Sequence, residues 1–161
     1  MNGDGPAGLF ITWTVYGTFL PGDRRGWRHR KEGVQQPRGK LEAYCRDKLK
    51  YKIELLTDAM RATVESGVTR HCKKRNWKLW GIEARTNHVH GVISVSGHDP
   101  ACVRDQLKAA ATRTLRDRFP MWKERSVWTA KGDIEYLDDM DEILLCMEYL
   151  GIQDRKHRDH Q

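Results

Sequence analysis

Cysteine is sparse and unpaired in this chain: Cys45, Cys72, Cys102 and Cys146 are scattered, with no CxxC spacing. That excludes a zinc ribbon and a thioredoxin-type redox motif. No apolar run approaches the roughly 18 residues that cross a bilayer, so no membrane-spanning helix is expected. The opening MNGDGPAGLF lacks the charged-then-apolar pattern of a secretory leader, and a reducing cytoplasmic location is the expectation. No internal repeat is visible, which excludes a solenoid or propeller. Acidic residues are in the minority, 22 against 29 Lys plus Arg, which leaves a net charge of +7. That excess favours a polyanionic partner, because each cation that neutralises a phosphate releases condensed counterions. A merely solvated basic surface accounts for the same number equally well.

The chain has 161 residues, 39% hydrophobic and 32% charged, the composition of one globular domain with an ordinary core. LFITWTVYGTFL (Leu9–Leu20) is β-branched and aromatic and stops at Pro21-Gly22-Asp23, which reads as a strand and a turn. A basic segment without clear periodicity follows, an insertion around 21–57. Asp58 is placed to cap a helix with an inward stripe of Met60, Val64, Gly67, Val68, His71 and Cys72. NWKLWGIEART and HVHGVISV read as two strands joined at Thr86-Asn87. A second amphipathic helix then points Val103, Leu107, Ala110, Ala111 and Leu115 inward and ends at Pro120. SVWTAKGDIEYL supplies a fourth strand with a bend at Lys131-Gly132-Asp133, and DDMDEILLCMEYLGIQ a last helix. The expected fold is α+β: a ferredoxin-like βαββαβ antiparallel sheet with two helices on one face, plus an additional C-terminal helix. A single domain over 1–161 is expected.

TNHVHGVISV (Thr86–Val95) carries the first candidate chemistry. Alternation along a strand puts His88, His90, Val92 and Ser94 on one face and Val89, Gly91, Ile93 and Val95 on the other. The second set is a packing face. The first set places two imidazoles within reach of one cation, and neutral imidazole is the commonest protein metal ligand. An HxH pair by itself is a weak signal, since two half-exposed histidines bonded to solvent give the same spacing.

A wheel of the last helix gathers Met140, Ile143, Leu144, Met147 and Gly151 in one sector. Tyr149 falls about 180° from Met140, and Gln153 lies about 40° beyond it, one turn on. Off the apolar seam, Tyr149 is either an exposed ring covering neighbouring surface or a reactive hydroxyl with a Gln carbonyl oxygen beside it. A phenol titrates near pH 10 and needs help to act as a nucleophile. A cation held by His88, His90 and Gln153 gives that help by stabilising charge on an attacked phosphate. Arg24, Arg25, Arg28, Arg30 and Lys31 lie interleaved with Trp27, an arrangement suited to phosphates and an unpaired base. Lys131 adds a cation at the bend of the last strand.

Taken together, YGTFLPGDRRGW, NHVHGVI and YLGIQ, in this order and spacing, resemble the single-tyrosine HUH transposases, especially the REP-associated tyrosine transposases and their insertion-sequence relatives. His88-Val89-His90 is similar to the HUH motif, and Tyr149 to Gln153 to the YxxxQ motif. The resemblance implies Tyr149 as the nucleophile; His88, His90 and Gln153 as ligands of Mg2+ or Mn2+; and single-stranded DNA with hairpin ends as the partner. It further implies cleavage through a 5′-phosphotyrosine intermediate and rejoining without ATP. The resemblance leaves a homodimer open: insertion-sequence relatives are dimers that exchange the tyrosine helix, whereas REP-associated ones can act as monomers. Two alternatives stand beside this reading. One is a non-catalytic module that binds nucleic-acid hairpins. The other is a metal-dependent phosphodiesterase that uses water, with Glu83 as base.

Overall fold

Leu9, Ile11, Trp13 and Val15 are buried while Phe10, Thr12 and Thr14 between them are half-buried, the period-2 signature of a strand with two unlike faces. The computed structural model describes the backbone of residues 5–158 and the side chains of residues 5–151. In chain order the elements are β1 (Gly8–Thr14), β2 (Trp27–His29), β3 (Gly33–Gln35), α1 (Gly39–Asp47), α2 (Asp58–Arg75), β4 (Lys78–Ala84), β5 (His88–Ser94), α3 (Pro100–Arg118), β6 (Asp133–Leu137) and α4 (Met140–Arg158). Four strands form one antiparallel sheet in the order β4-β5-β1-β6. Once the insertion is set aside this is the expected ferredoxin-like arrangement, with the first strand inside.

One face of the sheet carries the main core. Leu9, Ile11 and Trp13 from β1 and Val89 and Ile93 from β5 pack with Val64 and Val68 of α2 and Val103, Leu107, Ala111 and Leu115 of α3. The inward stripe of α3 is the one its periodicity predicts. The two helices approach closely at Gly67, where an added Cβ would lie 2.4 Å from Thr114 Oγ1 and 2.9 Å from its Cβ. The hydroxyl can turn aside, but the Thr114 Cβ is fixed by the backbone of α3 and cannot. Gly67→Ala therefore loses stability by up to about 2 kcal/mol, because overpacking costs ~1–3 kcal/mol and the gain in helix propensity returns only ~1. Urea unfolding measures it, and a stabilised variant would show that the interface yields.

The opposite face carries a smaller cluster beneath α4: Val92, Leu137, Ile143 and Leu150, with Phe10, Trp80, Cys146 and Met147 at its margin. Here the helical wheel is corrected. The packing stripe is Ile143, Cys146, Met147 and Leu150, whereas Met140 and Leu144 are exposed. The apolar arc of α4 is wider than the line it packs on an open sheet, so only a narrow part of that arc is buried and composition misplaces its centre.

Other boundaries also shift. β1 ends at Thr14, and Val15 continues only as an isolated bridge to Trp128. Thr57, not Asp58, caps α2, its hydroxyl accepting from the Met60 amide. The last strand starts at Asp133 because Lys131 (φ 65°) and Gly132 (φ 140°) turn the chain; a Cβ on Gly132 would meet the Thr12 carbonyl at 2.6 Å. Lys108 ties that turn down by donating to the carbonyls of Thr129 and Lys131 at 2.8 and 2.7 Å. The basic insertion is ordered as the β2–β3 hairpin and α1. Its Arg25 guanidinium donates to the Thr18 carbonyl at 2.9 Å, held in place by the buried Asp23 carboxylate, which accepts from the Arg25 backbone and guanidinium at 2.8 Å each.

Candidate active site

The β4–β5 connection turns tightly, closed by the Arg85 amide donating to the His88 carbonyl at 2.8 Å. β5 leaves that turn with His88 and His90 on the face opposite the main core. Their cross-strand partners on β1 are Thr14 and Thr12. The two rings lie 5.1 Å apart between centroids, inclined at 59°. His90 is buried beside Phe10, with ring centroids 5.9 Å apart, and His88 is half-buried.

Hydrogen bonds orient both rings. His88 Nδ1 lies 2.7 Å from Asn87 Oδ1, an acceptor, so the proton sits on Nδ1 and the lone pair on Nε2. His90 Nε2 lies 3.0 Å from Glu83 Oε2, a carboxylate behind the ring of the kind that orients metal-binding histidines. Glu83 is also ion-paired to Arg85, with Oε1 2.8 Å from Nε, although that N–H is not aimed as a hydrogen bond. Burial pushes the Glu83 carboxyl up, but the hydrogen bond from His90 and the Arg85 guanidinium outweigh it and hold it below the ordinary value. An acid so held is a poor general base, which counts against the water-using phosphodiesterase.

Burial first, then the neighbouring His90 and Arg85, pushes the His88 imidazole down to about 4. The ring is therefore neutral, with its lone pair available, through the physiological range. Unfolded, the same ring takes up its proton near pH 6.5. The unfolded chain thus binds more protons between the two values, and the metal-free protein loses stability as pH falls from 6.5 towards 4. A proton NMR titration of the metal-free protein gives a His88 midpoint near the lower value; a midpoint at 6.5 would contradict it.

Two adjacent imidazoles, one of them neutral and the other backed by a carboxylate, suit a divalent cation. Nitrogen donors favour a transition ion such as Mn2+ over Mg2+. Among the described residues no three His, Cys, Asp or Glu side chains converge on one point, so the pair needs a further ligand of another kind. Gln153, the residue expected in that role, has its side chain outside the described residues. Its backbone continues α4. Tyr149 stands on α4, the helix that covers the histidine face of the sheet, and is 55% exposed. A cleft of about 390 Å³ lies between this helix and β4, lined by Glu83, Met147, Leu150 and Gly151.

The basic residues diverge in role. Arg28 is exposed on β2 and Lys131 on the turn before β6, and both line clefts over the histidine face. Arg25 lines the same region, but its guanidinium is committed to Asp23 and to the Thr18 carbonyl. Trp27 is 8% exposed, with its indole N–H donated to the Gln36 carbonyl, so it offers the cleft an edge. Arg24 is exposed, and its amide binds Glu42 of α1. Sequence reasoning missed Phe10, Thr12, Asp133 and Glu135, which share the histidine face. Their alternation on β1 and β6 was the available signal.

The sequence model of the family described as "Transposase IS200 like" matches residues 48–150, and the chain belongs to that family. It is a transposase by family and a DNA-processing enzyme. Two solved structures share its fold. A candidate transposase from Deinococcus radiodurans R1 superposes over 92% of this chain and 91% of its own, with a TM-score of 0.53 and 13% identity. A REP-associated tyrosine transposase bound to a REP hairpin covers 98% of this chain and 72% of its own, with a TM-score of 0.52 and 11% identity. No curated protein matches the sequence. No described helix is long and apolar enough to cross a membrane.

Proposed function

We propose that this protein cleaves and rejoins single-stranded DNA at hairpin-containing sites, with Tyr149 as the nucleophile. One observation carries the reading: two adjacent, oriented histidines occupy the sheet face that the tyrosine-bearing helix covers. His88 offers its Nε2 lone pair, and together with the His90 ring and the Gln153 amide oxygen it would hold a divalent cation. That cation, when bound, supplies positive charge next to the phosphate under attack. In the reaction the Tyr149 oxygen bonds to phosphorus and the bond from phosphorus to the 3′ oxygen breaks. The phenol proton passes to solvent and the departing strand gains its 3′ hydroxyl. Attack by a 3′ hydroxyl on the phosphotyrosine reverses the process, so rejoining consumes no nucleotide.

The hairpin partner is supported by the REP-hairpin complex of the structural neighbour and by the net charge of +7. Arg28, Arg24 and Lys131 are exposed and serve as phosphate contacts, while Arg25 and Trp27 hold the hairpin that presents Arg28. The test is covalent trapping. Labelled single-stranded hairpin DNA incubated with Mn2+ yields a denaturation-resistant adduct, and peptide mapping places it on Tyr149. Cleavage without any adduct would instead favour a water nucleophile.

A further inference from the structure

We propose that the cleft between the β2–β3 hairpin and the strands β1 and β6 seats one unpaired base, and that Asp133 and Glu135 read its amino group. The inference rests on the single-stranded DNA reading above and names what part of that DNA the cleft takes.

Three features of the cleft support a base as its occupant. The first is its floor. Pairing of β1 with β6 sets Thr12 opposite Asp133 and Phe10 opposite Glu135, and both pairs point away from the main core, since Ile134 between the acids packs into it. The second is its walls: Phe19 and the edge of Trp27 enclose a volume of about 440 Å³, with Arg28 at the rim. An adjoining space of about 490 Å³ shares Thr12, Phe19, Arg28 and Asp133 and adds Lys131. The two make one groove, each part within the roughly 300–1,000 Å³ typical of small-ligand sites. Phenyl rings stack on any base, and the Arg25 guanidinium lies in the same cleft, 5.0 Å from the Phe19 ring centre.

The third feature is charge. A groove for a polyanion gains from Arg28, Arg30 and Lys131 and is opposed by any carboxylate, yet it keeps two. Both acids are exposed, and among the described residues neither carboxylate is hydrogen-bonded or ion-paired, although Arg28 lines the same cleft. Ionised carboxylates only accept, so they repel phosphates and pair with donors. On DNA the donors belong to bases: the amino groups of cytosine, adenine and guanine. An unpaired guanine sets N1–H beside its amino group, so that both meet one carboxylate. Thymine has no amino group. Cations at the rim and acceptors on the floor therefore divide the work, the first holding the backbone and the second selecting the base.

Equilibrium binding of fluorescent DNA hairpins tests this. Each carries a short unpaired flank in which every position in turn is G, A, C or T, and chelator is present so that no strand is cut. At one flank position the unsubstituted protein prefers an amino-bearing base over thymine by about tenfold or more, the scale of a well-placed base contact. Asp133→Asn and Glu135→Gln keep shape but exchange a charged acceptor for an amide. At least one of them removes that preference while binding the thymine flank as well as before, or better. If both variants bind every flank more tightly by one common factor, the carboxylates act only as charge and the proposal is overturned. Hairpin binding by the unsubstituted protein with no base preference overturns this inference alone. Failure to bind any hairpin overturns the DNA reading and this inference with it.

Discussion

Tyr149→Phe abolishes strand cleavage and adduct formation and leaves the fold intact. The substitution removes one oxygen from a ring that is 55% exposed on α4, so the stability cost is no larger than one surface hydrogen bond, about 1 kcal/mol. Phenylalanine cannot attack phosphorus. Activity should therefore fall by roughly a thousandfold or more, the scale on which loss of a nucleophile acts. Hairpin affinity, which rests on phosphate and base contacts elsewhere, stays within a few fold. The other tyrosines do not replace it. Tyr16 holds the amides of Lys50 and Tyr51 through its hydroxyl, Tyr51 sits edge-on to the Tyr16 ring, Tyr44 lies on α1 in the insertion, and Tyr136 is on β6. Gel analysis of denatured reactions reads the adduct, and thermal melting reads the fold. An adduct that persists in the Phe variant would move the nucleophile to another residue.

His88→Ala separates chemistry from binding in a different way. It deletes one of two oriented imidazoles at a half-buried site without touching the main core, which lies on the other side of the sheet. Mn2+ affinity, measured by calorimetry on the DNA-free protein, weakens by more than the roughly 10–100-fold that loss of even an outer partner of a metal ligand costs. Cleavage falls to background, and hairpin binding in chelator is unchanged. His90→Ala gives the same pattern with an added loss of stability, because His90 is buried and its removal strands Glu83 with only the Arg85 ion pair. Full cleavage by His88→Ala, or by the unsubstituted protein in chelator, would remove the metal from the reaction.

Much of this was legible in residue order, and the legible parts share a cause. The alternation of His88, Val89, His90 and Gly91 assigns faces by a period of two that needs no partner strand. The stripe of Val103, Leu107, Ala110, Ala111 and Leu115 on α3 is likewise a local consequence of helical period, and the structure buries those residues as expected. The βαββαβ order followed from reading such segments one after another. α4 resisted this treatment because the exposed Met140, Leu144 and Leu145 widen its apolar arc well beyond the line that packs; contact with Val92 and Leu137 chose Ile143 and Leu150. The insertion also resisted. Its order comes from Asp23 binding Arg25 and from Gly22 (φ 87°), where a Cβ would meet the Arg38 carbonyl at 2.4 Å, contacts that leave no periodic trace.

By itself, then, the sequence determined the element order, the histidine pair and its shared face, and the tyrosine on the last helix, because each depends on spacings of a few residues. Tertiary structure alone decided that β6 lies beside β1, so that Asp133 and Glu135 face the same side as His90. It alone placed the β2–β3 hairpin over that face. Those arrangements join segments from opposite ends of the chain. Pairing between distant segments is selected by the total burial and hydrogen bonding of the folded sheet, which no local pattern encodes.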